Sequence, residues 1–255
     1  TITIPYVQGY TPVYNGVELT PKNPANPEEG YKVPEGFNPI DNFGNSQITY
    51  TPSTQKAKVI IEKKVEGQDN EEVKSYELTG KSGEEIPAST EIDNKIQELK
   101  NKGYEVESDE YHLANNHYPV FDDQEDSDKT DKITSPSQIF RIVVKPKIVE
   151  VPATSPHEKD TPVDPNGNPE LKWPGGLTEA DLKTTAKRVV SYVKKESETA
   201  IEEKAKDSTE QVVTFTRKAK VNLVDKIVEY TGWESLNKTW AKVEVKTLTG
   251  YIADK

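Results

Sequence analysis

The chain has 255 residues, of which 32% are hydrophobic and 30% are charged, and its net charge is −11. A chain this acidic lacks the basic face that nucleic acids and anionic membranes require, so we expect neither as a partner. It has no cysteine, which excludes a disulfide framework, and apolar runs such as Val59-Ile60-Ile61 are too short to insert into a membrane. It also has no methionine and hence no start residue, so we expect a fragment of a longer protein.

Prolines divide the sequence into segments. They are dense near the start and again around Trp173, where Asn166-Gly167 and Gly175-Gly176 add further turn signals. The sequence therefore predicts a Pro-rich first segment (1–54), a folded module (55–149), a Pro/Gly-rich linker (150–177) and a second module (178–255).

The two ends of the chain carry a similar pattern. An alternating, strand-like stretch leads into Gly9-Tyr10 near the start and into Gly250-Tyr251 near the end. Chance is one interpretation of so short a match, and an internal repeat is the interpretation that we favour. Residues 1–54 would then close a preceding repeat, and 178–255 would lack its last strand and leave a sheet edge open.

The first module follows the order strand, strand, helix, strand, strand. Residues 57–65 and 72–79 are strand-like, and the apolar residues Phe140, Ile142 and Val144 alternate along a last strand at 139–145. This order is the one seen in β-grasp, ubiquitin-like folds. The fold class predicted for the chain is α+β and strand-dominated.

The helix of the first module is indicated by its apolar spacing. Ile92, Ile96 and Leu99 stand at i, i+4 and i+7, which places them on one face of a helix. Ser89 or Thr90 can cap its first turn, and Gly103 can take the left-handed conformation just past its end.

The second module begins with a helical turn and continues as strands. Thr178 and Asp181 have the spacing of a capping box, with the shorter acid in place of glutamate. Alternating residues predict strands at 186–194, 209–221 and 240–248, the last with one buried and one solvated face.

Short runs in both modules resemble a known family. Leu78-Thr-Gly-Lys-Ser-Gly83 stands in the first module, and Thr214-Phe-Thr-Arg217 in the second, followed by Trp233 and Trp240. Together they resemble the MUB repeat, which contains the MucBP domain, of mucus-binding surface adhesins of lactobacilli and related Gram-positive bacteria.

The resemblance implies an elongated rod of tandem β-grasp modules, which is extracellular, anchored to the bacterial cell wall and in contact with neighbouring repeats of the same protein. It implies weak, multivalent binding of host mucin or another glycoprotein, and some repeats of the family bind immunoglobulin. A structural spacer that projects a separate adhesive tip is the alternative.

Glycan sites combine an aromatic surface with amides or carboxylates. The candidates of these types are Tyr111, Asn115, Asn116, Tyr118 and Trp173. Trp173 lies among prolines and glycines, where it either is exposed or packs between the two modules. Trp233 is also of the right type, but we expect Trp233 and Trp240 to belong to the core.

An acidic run is the candidate for a calcium site, because Ca²⁺ takes six to eight oxygen ligands. The run contributes Asp122, Asp123, Glu125, Asp126 and Asp128. The glycine and glutamate positions of an EF-hand are absent, so a solvated acidic loop is the alternative. His112 and His117 offer either a metal pair or a solvated loop.

The sequence contains none of the motifs that common catalytic sites require. There is no G-x-S-x-G elbow for a serine nucleophile, no phosphate-binding P-loop and no G-x-G-x-x-G dinucleotide motif. We therefore predict that the protein is not an enzyme.

Overall fold

The computed structural model describes residues 2–37, 47–112, 118–121 and 138–253. They form two compact units: unit 1 comprises residues 1–100 and 104–145, and unit 2 comprises 101–103 and 146–255. Strands dominate and helices are few, as the sequence predicts. No helix within the described parts of the chain is both long enough and apolar enough to cross a membrane.

Unit 1 opens with a small antiparallel sheet. Asn15 and Gly16 have φ angles of 51° and 77°, the left-handed conformation that a two-residue hairpin turn needs at both positions. A short 3₁₀ helix (Pro27–Glu29) follows the hairpin. The strands of this sheet, in the order β2-β1-β3, are β1 (Tyr10–Tyr14), β2 (Val17–Glu18) and β3 (Thr49–Pro52).

The main sheet of unit 1 has four strands and one helix, α1 (Thr90–Asn101). Its strands are β4 (Thr54–Lys63), β5 (Glu71–Lys81), β6 (Tyr104–Asp109) and β7 (Gln138–Pro146). The spatial order is β5-β4-β7-β6, with β4 antiparallel to β5 and parallel to β7. The chain order of strand, strand, helix, strand, strand that the sequence predicts for this module is confirmed.

The core of unit 1 lies between α1 and this sheet. Ile92, Ile96 and Leu99 are buried on one face of α1, as their spacing predicts. They share a cluster with sheet residues that include Ile61 and Ile142. The Ser89 hydroxyl accepts a hydrogen bond from the Ile92 N–H at 3.3 Å and so caps the first turn. Gly103 has a φ of 96°, which confirms the predicted left-handed conformation past the helix.

The described residues of unit 2 form three small sheets and one helical turn, α2 (Glu179–Leu182). The sheets have the orders β14-β13-β8, β10-β9 and β11-β12. The strands are β8 (Ile148–Val151), β9 (Pro162–Asp164), β10 (Asn168–Lys172), β11 (Lys183–Lys194), β12 (Glu203–Thr216), β13 (Ala219–Asn222) and β14 (Val228–Tyr230).

The core of unit 2 is smaller and includes residues of the stretch 150–177, for which the sequence predicts a linker. Trp173 and Leu177 are buried there together with Leu182 and Val221. That stretch also carries β9, β10 and the end of β8, so the structure places it inside a folded unit.

The predicted capping box is confirmed at the start of α2. The Thr178 hydroxyl accepts from the Asp181 N–H at 3.3 Å, and the Asp181 carboxylate accepts from the Thr178 N–H at 3.0 Å. Two orphan donors of the helical turn are thereby satisfied.

The predicted strand at 240–248 is wrong. Its carbonyl groups accept from side chains of the β11–β12 hairpin: Ala241 O from Gln211 Nε2 at 2.9 Å and Thr247 O from Lys206 Nζ at 2.7 Å. The segment therefore contacts the hairpin through side chains, and no ladder partner is found for it among the described residues. Val245, expected to be buried, is exposed.

The same type of turn occurs near each end of the described chain. Gly9 and Gly250 have φ angles of 78° and 83°, a conformation that glycine adopts without strain. In each turn the tyrosine N–H donates to the carbonyl three residues earlier at 3.1 Å, from Tyr10 to Val7 and from Tyr251 to Leu248. The similar geometry supports the interpretation of an internal repeat.

Candidate functional site

Three aromatic side chains of unit 1 gather beyond the end of β6. The ring centroids of Tyr111 and Tyr118 lie 5.0 Å apart, and that of His112 lies 4.7 Å from Tyr111 and 5.8 Å from Tyr118. We call these residues the tyrosine–histidine cluster. The structure thus brings together Tyr111 and Tyr118, two of the predicted binding residues.

The cluster is positioned by Asp109, the last residue of β6. One carboxylate oxygen of Asp109 accepts from the N–H groups of Tyr111 and His112 at 2.9 and 2.8 Å, which turns the chain sharply after the strand. The other oxygen lies 2.7 Å from His112 Nδ1. On the far side of the ring, His112 Nε2 lies 2.8 Å from Asp93 of α1. The imidazole is therefore held between two carboxylates, and its doubly protonated form can donate to both.

Tyr111 is part of the core, whereas Tyr118 is half-buried. The Tyr111 hydroxyl donates to the Pro87 carbonyl at 2.5 Å, and burial raises the pKa of Tyr111 to about 12. Burial also raises the pKa of Tyr118, with further contributions from the negative charges of Asp93, Glu85 and Asp109. Both phenols stay neutral at physiological pH and keep a proton to donate.

A shallow groove beside the cluster runs between α1 and β6. Its walls include Asp93, Gln97 and Lys100 from α1 and Asp109 and His112 from the other side, and Ile96 and Val106 give it an apolar floor. Carboxylates, an amide and an ammonium around an apolar floor can hydrogen-bond the hydroxyl groups of a sugar. His112, Asp93 and Asp109 were not among the predicted ligand-binding residues, although the Asp-x-x-His spacing is a signal for such a turn.

Several predicted site residues lie outside the described residues. They are Asn115, Asn116 and His117 of the first loop and Asp122, Asp123, Glu125, Asp126 and Asp128 of the acidic run. Calcium binding by the acidic run stays a prediction. Within the residues that the structure does describe, no group of three or more histidine, aspartate or glutamate side chains has the geometry to hold a metal ion.

The structure places the tryptophans differently from the expectation. Trp173 is only 5% exposed and stacks on His157 with ring centroids 4.2 Å apart, so it packs within unit 2 and offers no surface platform. Trp233 and Trp240 are 42% and 37% exposed, so the expectation that they belong to the core is wrong. Both follow β14, the last described strand of unit 2 in chain order.

The chain thus contains two strand-rich units, and unit 1 carries a shallow groove of mixed polar and apolar lining. Residues 55–135 match the family model described as a mucin binding domain, and residues 177–255 match that of the Muc B2-like domain. Two successive segments of the chain therefore match these two families, and the predicted resemblance of the chain to the MUB repeat is confirmed. Domains of these families are non-enzymatic binding domains, which agrees with the prediction that the protein is not an enzyme.

Solved structures of mucus-binding repeats are similar to this chain. The type 2 repeat of the mucus binding protein MUB from Lactobacillus reuteri is 22% identical, with 78% of this chain and 85% of that chain covered and a TM-score of 0.32. Mub-RV is 19% identical, with 78% and 84% covered and a TM-score of 0.42. No match was found among curated proteins.

Proposed function

We propose that this chain is a repeat of an extracellular bacterial adhesin that binds the glycans of host mucin. The observation that carries the proposal is the match of residues 55–135 to a mucin binding domain, because this segment contains the tyrosine–histidine cluster and its groove. The ring of Tyr118 offers an apolar surface to a pyranose, and the carboxylates of Asp93 and Asp109 accept from sugar hydroxyls.

Binding by one chain is weak and becomes strong by repetition. The groove is open and shallow, so a sugar keeps much of its contact with water. The net charge of −11 gives no long-range attraction to acidic mucins. Linked copies convert later binding events into intramolecular ones, which raises the overall affinity by orders of magnitude, about 10²–10⁴-fold.

The proposed setting is the bacterial cell wall. Tandem repeats of β-grasp-like modules form a rod that extends from the surface, with each repeat in contact with its neighbours. The strand order of the main sheet of unit 1, in which its first strand β4 and its last strand β7 pair at the centre, supports the β-grasp part of this proposal.

The proposal is tested by binding to immobilised mucin of the single chain and of four linked copies. We expect weak binding by one copy and much tighter binding by four. The substitution Tyr118→Ala is expected to weaken binding by the linked copies, whereas Tyr10→Ala, at an exposed tyrosine of β1, leaves it unchanged. Melting temperatures of both variants control for folding.

Other outcomes identify the alternatives. Binding to no mucin and to no sugar on a glycan array by the four-copy protein contradicts the proposal and favours a structural spacer. Capture of immunoglobulin from serum, without mucin binding, favours an immunoglobulin-binding module. Equal affinity for one copy and four copies contradicts the multivalent mechanism alone.

A further inference from the structure

An arginine of unit 2 lies over two partly exposed aromatic rings. The Cζ atom of Arg217 is 3.7 Å from the ring centroid of Tyr230 and 4.5 Å from that of Trp233. These distances are well within the range of cation–π attraction. Tyr230 is 40% exposed and Trp233 is 42% exposed, so both rings reach solvent. We call these three residues the arginine–aromatic platform.

The arginine is fixed by backbone groups at the end of α2. The Arg217 N–H donates to the Leu182 carbonyl at 3.0 Å, and its Nε donates to the Asp181 carbonyl at 2.7 Å. The first bond fixes the main chain at Arg217 and the second orients the guanidinium, so binding a ligand costs little side-chain entropy.

The two rings are also held in place. The Tyr230 hydroxyl donates to the Gly176 carbonyl at 2.8 Å. Glu234, directly after Trp233, exchanges two backbone hydrogen bonds of 2.8 Å with Thr216, directly before Arg217. The platform is therefore assembled by the backbone before any ligand arrives.

Most donors of the guanidinium are uncommitted. Only Nε has a hydrogen-bond partner among the described residues, and no carboxylate in those parts of the chain forms an ion pair with Arg217. Its neighbours are already engaged: Lys218 pairs with Glu150 at 2.8 Å, and the Asp181 carboxylate accepts from the N–H and hydroxyl of Thr178. Arg141, by contrast, is paired with Glu62.

We propose that this platform binds an anionic sugar, one that carries a carboxylate or a sulfate group. The planar guanidinium matches either group with two parallel hydrogen bonds, and an exposed indole or phenol ring packs against the apolar face of a pyranose. The site rests on the proposed mucin-binding function and names its ligand class, and it lies on a different unit from the tyrosine–histidine cluster.

A purely structural role for Arg217 is the competing explanation, because its two hydrogen bonds to the carbonyl groups of Asp181 and Leu182 also stabilise the end of α2. Arg217→Lys keeps the positive charge and the backbone N–H bond to Leu182 but loses the planar pair of donors and the Nε bond, so its melting temperature is measured to report the structural role separately from binding. Trp233→Ala is the second variant, because it leaves both backbone bonds of Arg217 in place. The matched control is Arg188→Lys, at an exposed arginine of β11.

The test follows the three tryptophan indole N–H signals of the full chain by NMR. The probes are sialyllactose for the carboxylate, 6-sulfo-N-acetylglucosamine for the sulfate and lactose as the neutral sugar. We expect the Trp233 signal, assigned from its loss in Trp233→Ala, to shift with one or both acidic sugars and not with lactose. Arg217→Lys is expected to weaken this binding roughly tenfold or more, while Arg188→Lys is without effect.

Comparison of the two acidic sugars shows whether the platform binds a carboxylate, a sulfate or both. A Trp233 signal that moves with neither acidic sugar, or equally with lactose, overturns the inference. Full binding by a folded Arg217→Lys variant also overturns the inference. If that variant does not fold, full binding of sialyllactose or the sulfated sugar by Trp233→Ala, measured by calorimetry, overturns it instead. Mucin binding by the linked wild-type copies in those cases leaves the proposed function intact, so the two failures are distinguishable.

Discussion

The parallel pair β4–β7 of unit 1 and the hairpin β11–β12 of unit 2 are both long strand pairs, yet they differ in burial. β4 and β7 contribute Ile61, Ile142 and other fully buried residues, and their register runs without a shift. The hairpin has no fully buried residue, and its register shifts twice near Tyr192. The difference shows that the alternation of apolar and polar residues along a strand does not by itself create a buried core. A second layer must cover the apolar face, as α1 does in unit 1.

The largest effect is expected from a truncation beneath α1. Ile61→Ala removes a fully buried side chain of β4 and leaves a cavity, which is expected to destabilise unit 1 by about 2–5 kcal/mol. The counterpart Val212→Ala, on the exposed face of β12, is expected to change stability by less than about 0.5 kcal/mol. Urea unfolding measures both, and equal losses would contradict the comparison.

A glycine of unit 2 offers the next largest effect. Gly176 has a φ of 89°, and a Cβ atom there would lie within van der Waals overlap of the Tyr230 hydroxyl. Gly176→Ala is therefore expected to destabilise unit 2 by about 1–3 kcal/mol. Gly250→Ala has a similar φ but open space around it, so it reports the backbone strain alone. If both variants melt at the same temperature, the contact with Tyr230 is unimportant.

The cap of α2 makes unit 2 sensitive to acid. Hydrogen bonds from Thr178 lower the pKa of the Asp181 carboxyl below its usual 3.8. The stabilisation of the folded state by the ionised Asp181 carboxylate is therefore fully present above about pH 4. It is lost as the pH falls through the lower pKa that this carboxyl has in the folded state. Asp181→Asn is expected to lower the melting temperature more at pH 6 than at pH 2, by an amount equivalent to about 1 kcal/mol or less, because the site is partly screened by solvent. Glu179→Gln in the same turn is the control, and a difference that does not change with pH would contradict the assignment.

The smallest effect is expected in the segment that follows β14. Leu236 is fully exposed, so Leu236→Ser is expected to change the free energy of unfolding by less than about 0.5 kcal/mol. A loss above 1 kcal/mol in urea unfolding would show that this segment packs more tightly than the comparison of the two strand pairs implies.

Sequence patterns predicted the structural features that are determined by residues close together in the sequence. The spacing of Ile92, Ile96 and Leu99 determines which face of α1 is buried, and the Thr178–Asp181 box needs only four residues. Whether residues 240–248 form a strand depends instead on which strand edge is free to pair with them. The alternation of apolar and polar residues in this segment carries no such information.

The candidate sites depended on contacts between residues distant in sequence. Proline and glycine beside Trp173 indicate a turn, but its burial arises from packing against Leu177 and Val221 of the same unit. His112 meets Asp93 across the groove, and Arg217 meets Tyr230 at the end of β14 and Trp233 just after that strand. Such juxtapositions follow from the fold and are not visible in local spacing.

The parallel pairing of β4 with β7 has a mechanical consequence. The chain enters unit 1's main sheet at Thr54 and leaves it at Pro146, at opposite ends of two adjacent strands. Tension along the chain pulls these strands past each other, so the hydrogen bonds from Ala57–Gln138 to Lys63–Val144 bear the load in shear and must break together. An antiparallel hairpin pulled from its open end would instead unzip one bond at a time. Unit 1 is therefore expected to resist a pulling force along the chain better than such a hairpin does.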